Sequence, residues 1–203
     1  MTLTLHQGDL PEGAAFGDAV AIDTETLGLN PLRDRLCLVQ LSAGDGTAHL
    51  VQMPASGAAA PNLCRLLRDP AVVKIFHYAR FDIAVLSHAL GVMPSPLFCT
   101  KIASKLVRTY TDRHGLKDLT RELLGIELSK QQQSSDWAAE QLSEAQLAYA
   151  ASDVLYLHQL KDKLDAMLRR EGRGDLARAC FEFLPSRAAL DLGGWAEQDI
   201  FSH

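Results

Sequence analysis

No stretch constrains this chain more than Val20-Ala21-Ile22-Asp23-Thr24-Glu25-Thr26-Leu27-Gly28. It begins as an apolar run, the pattern of a buried strand, and then sets two carboxylates two residues apart. Alternate residues of a strand point to the same side, so Asp23 and Glu25 share one face at the strand's end. Like charges that close are costly unless a proton or a cation lies between them. Hard divalent cations take oxygen ligands, which makes a metal the natural guest. Taken alone, Asp-x-Glu is common, and a strand running into a solvated polar loop looks the same.

Around this strand the pattern predicts an α/β domain: a mixed central β-sheet flanked by α-helices. Further strands are expected at Leu3–His6 (an edge strand), Leu36–Ser42, Ala48–Met53 and Val72–Phe76, with a hairpin at Gly44-Asp45-Gly46. Short helices are expected over Asn62–Arg68 and, after a short strand, within Phe98–Val107. Ala79, Ile83, Leu86 and Leu90 form an amphipathic stripe that Gly91 stops, and Leu116–Leu124 is helical up to Gly125. Ser143-x-x-Gln146 has the form of a capping box; the helix it opens is predicted to run to about Arg170. A last helix is predicted over Asp175–Phe183, ended by Pro185. The domain is placed at residues 1–184, with 185–203 a tail too short to be a domain. Trp195 and Phe201 in that tail are awkward in solvent, and are expected to dock on the body of the chain or on a second copy, as in a homo-oligomer.

The 203 residues suit one domain, and with 47% hydrophobic and 22% charged residues the composition is ordinary for a globular protein. No apolar run approaches the roughly 18 residues of a membrane span, and the N-terminus has no signal-peptide pattern, so no membrane partner and a cytoplasmic location are expected. Cys37, Cys64, Cys99 and Cys180 are scattered, the pattern of reduced core thiols rather than a zinc site or disulfides. A net charge of −5 argues against a protein that simply coats duplex phosphates. It leaves room for an enzyme that holds nucleic acid through metal ions. Residues 101–130 are locally basic; on composition alone this reads as a solvated helical face, and Lys101, Arg108, Arg113, Lys117 and Lys130 become candidates for tracking a strand only once a family resemblance supports it.

Three more positions carry the chemistry. Asp82 lies beside the buried Ile83 at the edge of the helical stripe. Asp153 interrupts an apolar stretch of the Ser143 helix, and Tyr149 precedes it by four residues, on the same helix face. Each alone has an ordinary explanation: a first-turn acid near the helix dipole, a surface charge, a core-edge tyrosine. Together with Asp23 and Glu25 they are harder to dismiss. The ordered set Asp23-x-Glu25, His77-x-Ala79-Arg80-Phe81-Asp82 and Tyr149-x-x-x-Asp153 resembles the tyrosine variant of the DEDD exonuclease superfamily. Thr100-Lys101, His114-Gly115-Leu116-Lys117-Asp118-Leu119 and Lys130-Gln131-x-x-Ser134-Ser135-Asp136-Trp137 are similar to the ribonuclease D group in particular.

The resemblance covers about residues 18–170. It implies a ribonuclease H-like fold, two divalent metal ions (Mg²⁺ or Mn²⁺) held by Asp23, Glu25, Asp82 and Asp153, and a water aimed by Tyr149. The implied reaction is 3′-to-5′ removal of nucleoside 5′-monophosphates from single-stranded nucleic acid, RNA favoured over DNA. Thr26 and Leu27 map to the backbone and apolar wedge at the terminal nucleotide, and His77 and Phe81 to sugar and base contacts; for Leu27 and Phe81 ordinary packing is nearly as good an explanation. Gln131, Ser134 and Trp137 are placed near the site, Trp137 more as core. The sequence departs from the group at Tyr78, where the group usually has Asn. A catalytically silent nucleic-acid-binding module is the alternative, but it predicts a missing acid, and all four are present.

Overall fold

The computed structural model describes residues 2–129 and 131–203. Its centre is a six-stranded mixed sheet, in spatial order β1 (Thr2–Gln7), β4 (Thr47–Gln52), β3 (Leu36–Ser42), β2 (Ala19–Thr26), β5 (Val73–Phe76) and β6 (Leu97–Cys99). The β2–β3 and β3–β4 pairs are antiparallel, and the other three are parallel. Thus β2, which carries the Asp-x-Glu pair, lies inside the sheet. Helices α1 (Pro61–Arg68), α2 (Ala79–Leu90), α3 (Thr100–Val107), α4 (Leu116–Leu119), α5 (Glu144–Leu155), α6 (Leu157–Arg170) and α7 (Gly174–Leu190) flank it. The expected α/β class and mixed sheet are found.

Register fixes what shares a face with the acids. Asp23 lies opposite Gln40, and Glu25 opposite Leu38, while Gln40 in turn faces Leu50. Leu38 and Leu50 pack with Trp137 and Ala150 in a small apolar cluster, joined by Tyr149. The acids therefore face α5. Thr24, one residue out of phase, points to the opposite side, where its Oγ1 donates to Asp82 on α2. The strand thus reaches one helix through its acids and another through its threonine.

Local signals explain most boundaries. The Ser143–Gln146 capping box forms, with Ser143 Oγ accepting from the Gln146 amide and the Gln146 side chain accepting from the Ser143 amide. Gly91 ends α2 at φ +65°, a conformation that costs glycine little. Two boundaries depart from expectation. The helix opened at Ser143 is not continuous to Arg170: it breaks at Tyr156 (φ −109°, ψ −1°), with no glycine or proline present. Packing sets the break, since α5 lies over β3 and β4 whereas α6 turns to pack on α3. Pro185 does not end the last helix, which continues to Leu190. Proline forgoes one backbone bond, but Ala177, Phe181, Leu184 and Ala188 form a buried stripe that continues across it.

The tail is tied to the body by arginine bonds. Asp191 accepts a two-pronged bond from Arg80 (2.6 and 2.8 Å) and another from Arg187, and the same arginines hold the carbonyls of Ala196 and Trp195. The side chains of Trp195 and Phe201 stay exposed, Phe201 against Phe183.

Arg108 is a correction. It was expected among the strand-tracking cations, but its side chain is wholly buried, bound to the Glu122 carboxylate, Ser104 Oγ and the Arg113 carbonyl. It ties the 108–114 loop to the helical turn at 120–124. Replacing it with methionine leaves those acceptors unpaired, at a cost on the order of 2–4 kcal/mol. The expected loss in unfolding temperature is roughly 5–15 °C, and a thermal melt of Arg108→Met matching the unaltered protein would contradict this role.

Candidate active site

Carboxylate oxygens of Asp23, Glu25 and Asp153 lie within 4.8 Å of one another. Two come from the end of β2 and the third from α5, one turn after Tyr149. Asp82 stands behind them. It is almost fully buried, and the 2.7 Å bond from Thr24 Oγ1 ties it to the strand that carries the pair. The sequence reading missed this role for Thr24, whose only signal is its place between the two acids. It also missed Gln40. This wholly buried side chain lies opposite Asp23 on the same face, and neither of its amide atoms has a hydrogen-bond partner.

The electrostatics are those of uncompensated negative charge. Burial, then Asp82, Asp153 and Glu25, hold the Asp23 carboxyl well above the usual carboxylate range. Burial, then Asp153 and Asp82, push Glu25 up to about 9. Asp82 rises to about 7 by burial, against the stabilising bonds from Thr24. Asp153 also reaches about 7 by burial, drawn partly back by the Tyr149 phenol. Burial and the surrounding acids raise Tyr149 itself, so it stays a neutral phenol. Without a counter-charge Asp23 and Glu25 hold protons at neutral pH, while Asp82 and Asp153 are about half-protonated.

Two cavities meet at the acids. The larger, 540 Å³, is lined by Asp23, Glu25, Tyr149 and Asp153 together with Thr26, Leu27 and Phe81. Leu27 is 55% exposed at its rim, where a packing residue would be covered. Gly28 lets the Asp34 carboxylate approach closely here, since a β-carbon would lie 2.4 Å from its oxygen. Gln133, Ser134, Ser135 and Trp137 complete the wall; Gln131 is exposed and lines neither cavity. Trp137 is buried, as expected, with its ring 6.0 Å from that of Tyr149.

The smaller cavity, 280 Å³, shares Asp23, Tyr149 and Asp153 and adds His77, Tyr78, Lys101 and Lys117. His77 Nδ1 lies 2.9 Å from Thr100 Oγ1, which donates its hydrogen to the Phe76 carbonyl. Nδ1 must then carry the imidazole proton, leaving Nε2 an acceptor. Burial, then Lys101 and His114, push His77 down to about 3, so it remains neutral. Arg113 is exposed and lines neither cavity, and Lys130 falls outside the described residues.

A strand-borne acid pair thus meets helix-borne acids and a tyrosine in an open, strongly acidic cleft. Residues 9–169 match the family model described as 3′-5′ exonuclease, and the chain belongs to that family. Among solved structures it is similar over its whole length to NrnC of Brucella melitensis. The form with bound Mg²⁺ is 63% identical with a TM-score of 0.96, covering 100% of both chains. The form bound to pGG is 64% identical with a TM-score of 0.97, covering 100% of this chain and 99% of that one. Escherichia coli RNase D, described as an exoribonuclease involved in structured RNA processing, matches at 29% identity and a TM-score of 0.76 over 85% of this chain and 45% of its own. Ribonuclease D of Gluconacetobacter diazotrophicus is 42% identical over 156 residues, which are 77% of this chain and 39% of that protein. The chain thus spans well under half the length of the curated relatives it matches. The resemblance to the ribonuclease D group therefore holds.

Proposed function

We propose that this chain is a metal-dependent 3′-to-5′ exonuclease that releases nucleoside 5′-monophosphates from single-stranded nucleic acid, RNA in preference to DNA. The observation that carries this reading is the convergence of three carboxylates within 4.8 Å beside a fourth, each with a raised pKa. The donor set fits hard divalent ions: it is all oxygen and strongly anionic, without a thiol or imidazole. Asp23, Glu25, Asp82 and Asp153 would hold two such ions, Mg²⁺ or Mn²⁺, with Thr24 fixing the Asp82 carboxylate. When bound, the ions offset phosphate charge and lower the pKa of a water.

The chain's own side chains position the rest. Tyr149, kept neutral, orients the attacking water through its hydroxyl and is not a base. Leu27 and Phe81 offer apolar contact to the terminal base, and the Thr26 backbone follows them along the cleft. The Nε2 acceptor of His77 suits a sugar hydroxyl, a group RNA has in excess of DNA. Lys101 and Lys117 bring positive charge to a site that is otherwise acidic. A cytoplasmic setting agrees with four unpaired cysteines and with the lack, among the described residues, of a helix long and apolar enough to cross a membrane.

The test is incubation of 3′- and 5′-labelled RNA and DNA with each metal. Stepwise mononucleotide release from the 3′ end, abolished by chelator, is expected; endonucleolytic fragments or activity in chelator would refute the mechanism. Tyr149→Phe should lower kcat roughly 10- to 100-fold through a misplaced nucleophile, while metal affinity measured by calorimetry is unchanged. The pGG bound to NrnC, at 64% identity, favours very short 5′-phosphorylated oligonucleotides within this class. RNAs from two nucleotides upward belong in the same assay.

A further inference from the structure

The exonuclease reading leaves Tyr78 unexplained. Its φ is +68°, the left-handed region, which among non-glycine residues of the described chain only Ala60 shares. It is the N-cap of α2 but makes no capping bond through its side chain. A bulky residue there is strained, and a residue that keeps such strain marks a place where function overrides local preference. The ring is 47% exposed. The Lys101 ammonium sits over it, 4.1 Å from the centroid.

Position gives the ring a use. Tyr78 and Lys101 line the smaller cavity, which shares Asp23, Tyr149 and Asp153 with the larger one but is not lined by Leu27 or Phe81. A phosphodiester cleaved at these acids has the terminal nucleoside on one side and the nucleoside that leaves with a free 3′ hydroxyl on the other. With the terminal one in the Leu27–Phe81 cavity, the leaving one falls in the Tyr78 cavity. At 280 Å³ that space lies at the small end of ligand sites, suiting one nucleotide rather than a run. An aromatic face accepts any base by stacking.

We infer that Tyr78 is a specificity-determining residue: it stacks on the base of the nucleotide 5′ to the scissile phosphate, with Lys101 bracing the ring. The inference rests on the exonuclease reading of the same cleft. It makes the second nucleotide, and not only the terminal one, a determinant of turnover.

The experiment compares two substrates in the intact enzyme with Mn²⁺. One is a 5′-phosphorylated diribonucleotide. The other is the p-nitrophenyl ester of thymidine 5′-monophosphate, which keeps a terminal nucleotide and its phosphodiester but has no second base. In Tyr78→Asn, and in Lys101→Met to a smaller degree, the ratio of kcat/KM for the dinucleotide to that for the ester should fall about tenfold, mainly through KM. Tyr78→Phe should retain the ratio. Asparagine tolerates a positive φ, so the unfolding temperature of Tyr78→Asn should not drop. A ratio within about twofold of the unaltered enzyme in Tyr78→Asn would overturn the subsite while leaving the exonuclease standing. An unaltered enzyme that cleaves neither substrate would remove the exonuclease reading and this inference with it.

Discussion

Asp23→Asn is expected to abolish nucleotide release, lowering kcat at least about 10³-fold, and yet to stabilise the metal-free protein. The first effect follows because Asp23 lines both cavities and is the acid most affected by the other three. A metal held there would lose one of its carboxylates, and with it on the order of several kcal/mol of charge stabilisation for the reaction. The second effect follows from the same crowding. Burial and three neighbouring acids make the Asp23 charge unfavourable in the fold, and an amide of equal size relieves that repulsion. At pH 8 in chelator, the unfolding temperature of Asp23→Asn should therefore exceed that of the unaltered chain. Full activity would end the metal mechanism; loss of activity with a lower unfolding temperature would mean that Asp23 serves mainly to hold the fold.

In chelator, the stability of the unaltered protein should fall as pH rises from about 4 to 9. An ordinary carboxyl titrates near 4, whereas in the fold Asp82 and Asp153 titrate near 7 and Glu25 near 9. Across that window the folded chain binds more protons than the unfolded one, so raising the pH costs stability. The contribution of these acids is fully present below pH 4 and is lost as each folded-state pKa is passed. For the buried Asp82 alone the loss is on the order of 4 kcal/mol, equivalent to roughly 10 °C in a chain of this size. Divalent ions bind the deprotonated acids and release their protons. The gain in unfolding temperature on adding Mg²⁺ or Mn²⁺ should therefore grow with pH and shrink toward zero near pH 4. Melts across pH with and without metal check this; a metal gain independent of pH would contradict proton-coupled binding at these acids.

Some of the expectations for this chain depended on spacing and others on packing, and they fared differently. The face shared by Tyr149 and Asp153, the cap at Ser143 and the stop at Gly91 are local, set by periods and backbone preferences that neighbouring residues determine. The helix break at Tyr156, the passage of α7 through Pro185 and the burial of Arg108 are not local. In the first two, contacts from distant elements outweigh a local preference; Arg108 is drawn in by pairing its guanidinium with Ser104, Arg113 and Glu122, which periodicity does not reveal. The exposed ends of Trp195 and Phe201 belong with these, since the tail is anchored by arginine bonds to the Asp191 carboxylate and to backbone carbonyls.

The amino-acid order alone determined that Asp23 and Glu25 would leave β2 on one side, because alternation along a strand is a property of the backbone. It determined also that Tyr149 would sit one turn before Asp153, because helix pitch is fixed. Only the tertiary structure decided that those two faces meet, that Thr24 ties Asp82 to the strand from the opposite side, that Gln40 lies across from Asp23, and that Tyr78 is held in a left-handed conformation at the cavity wall. Sheet register and a strained dihedral arise from contacts between residues far apart in the chain, so no local window contains them.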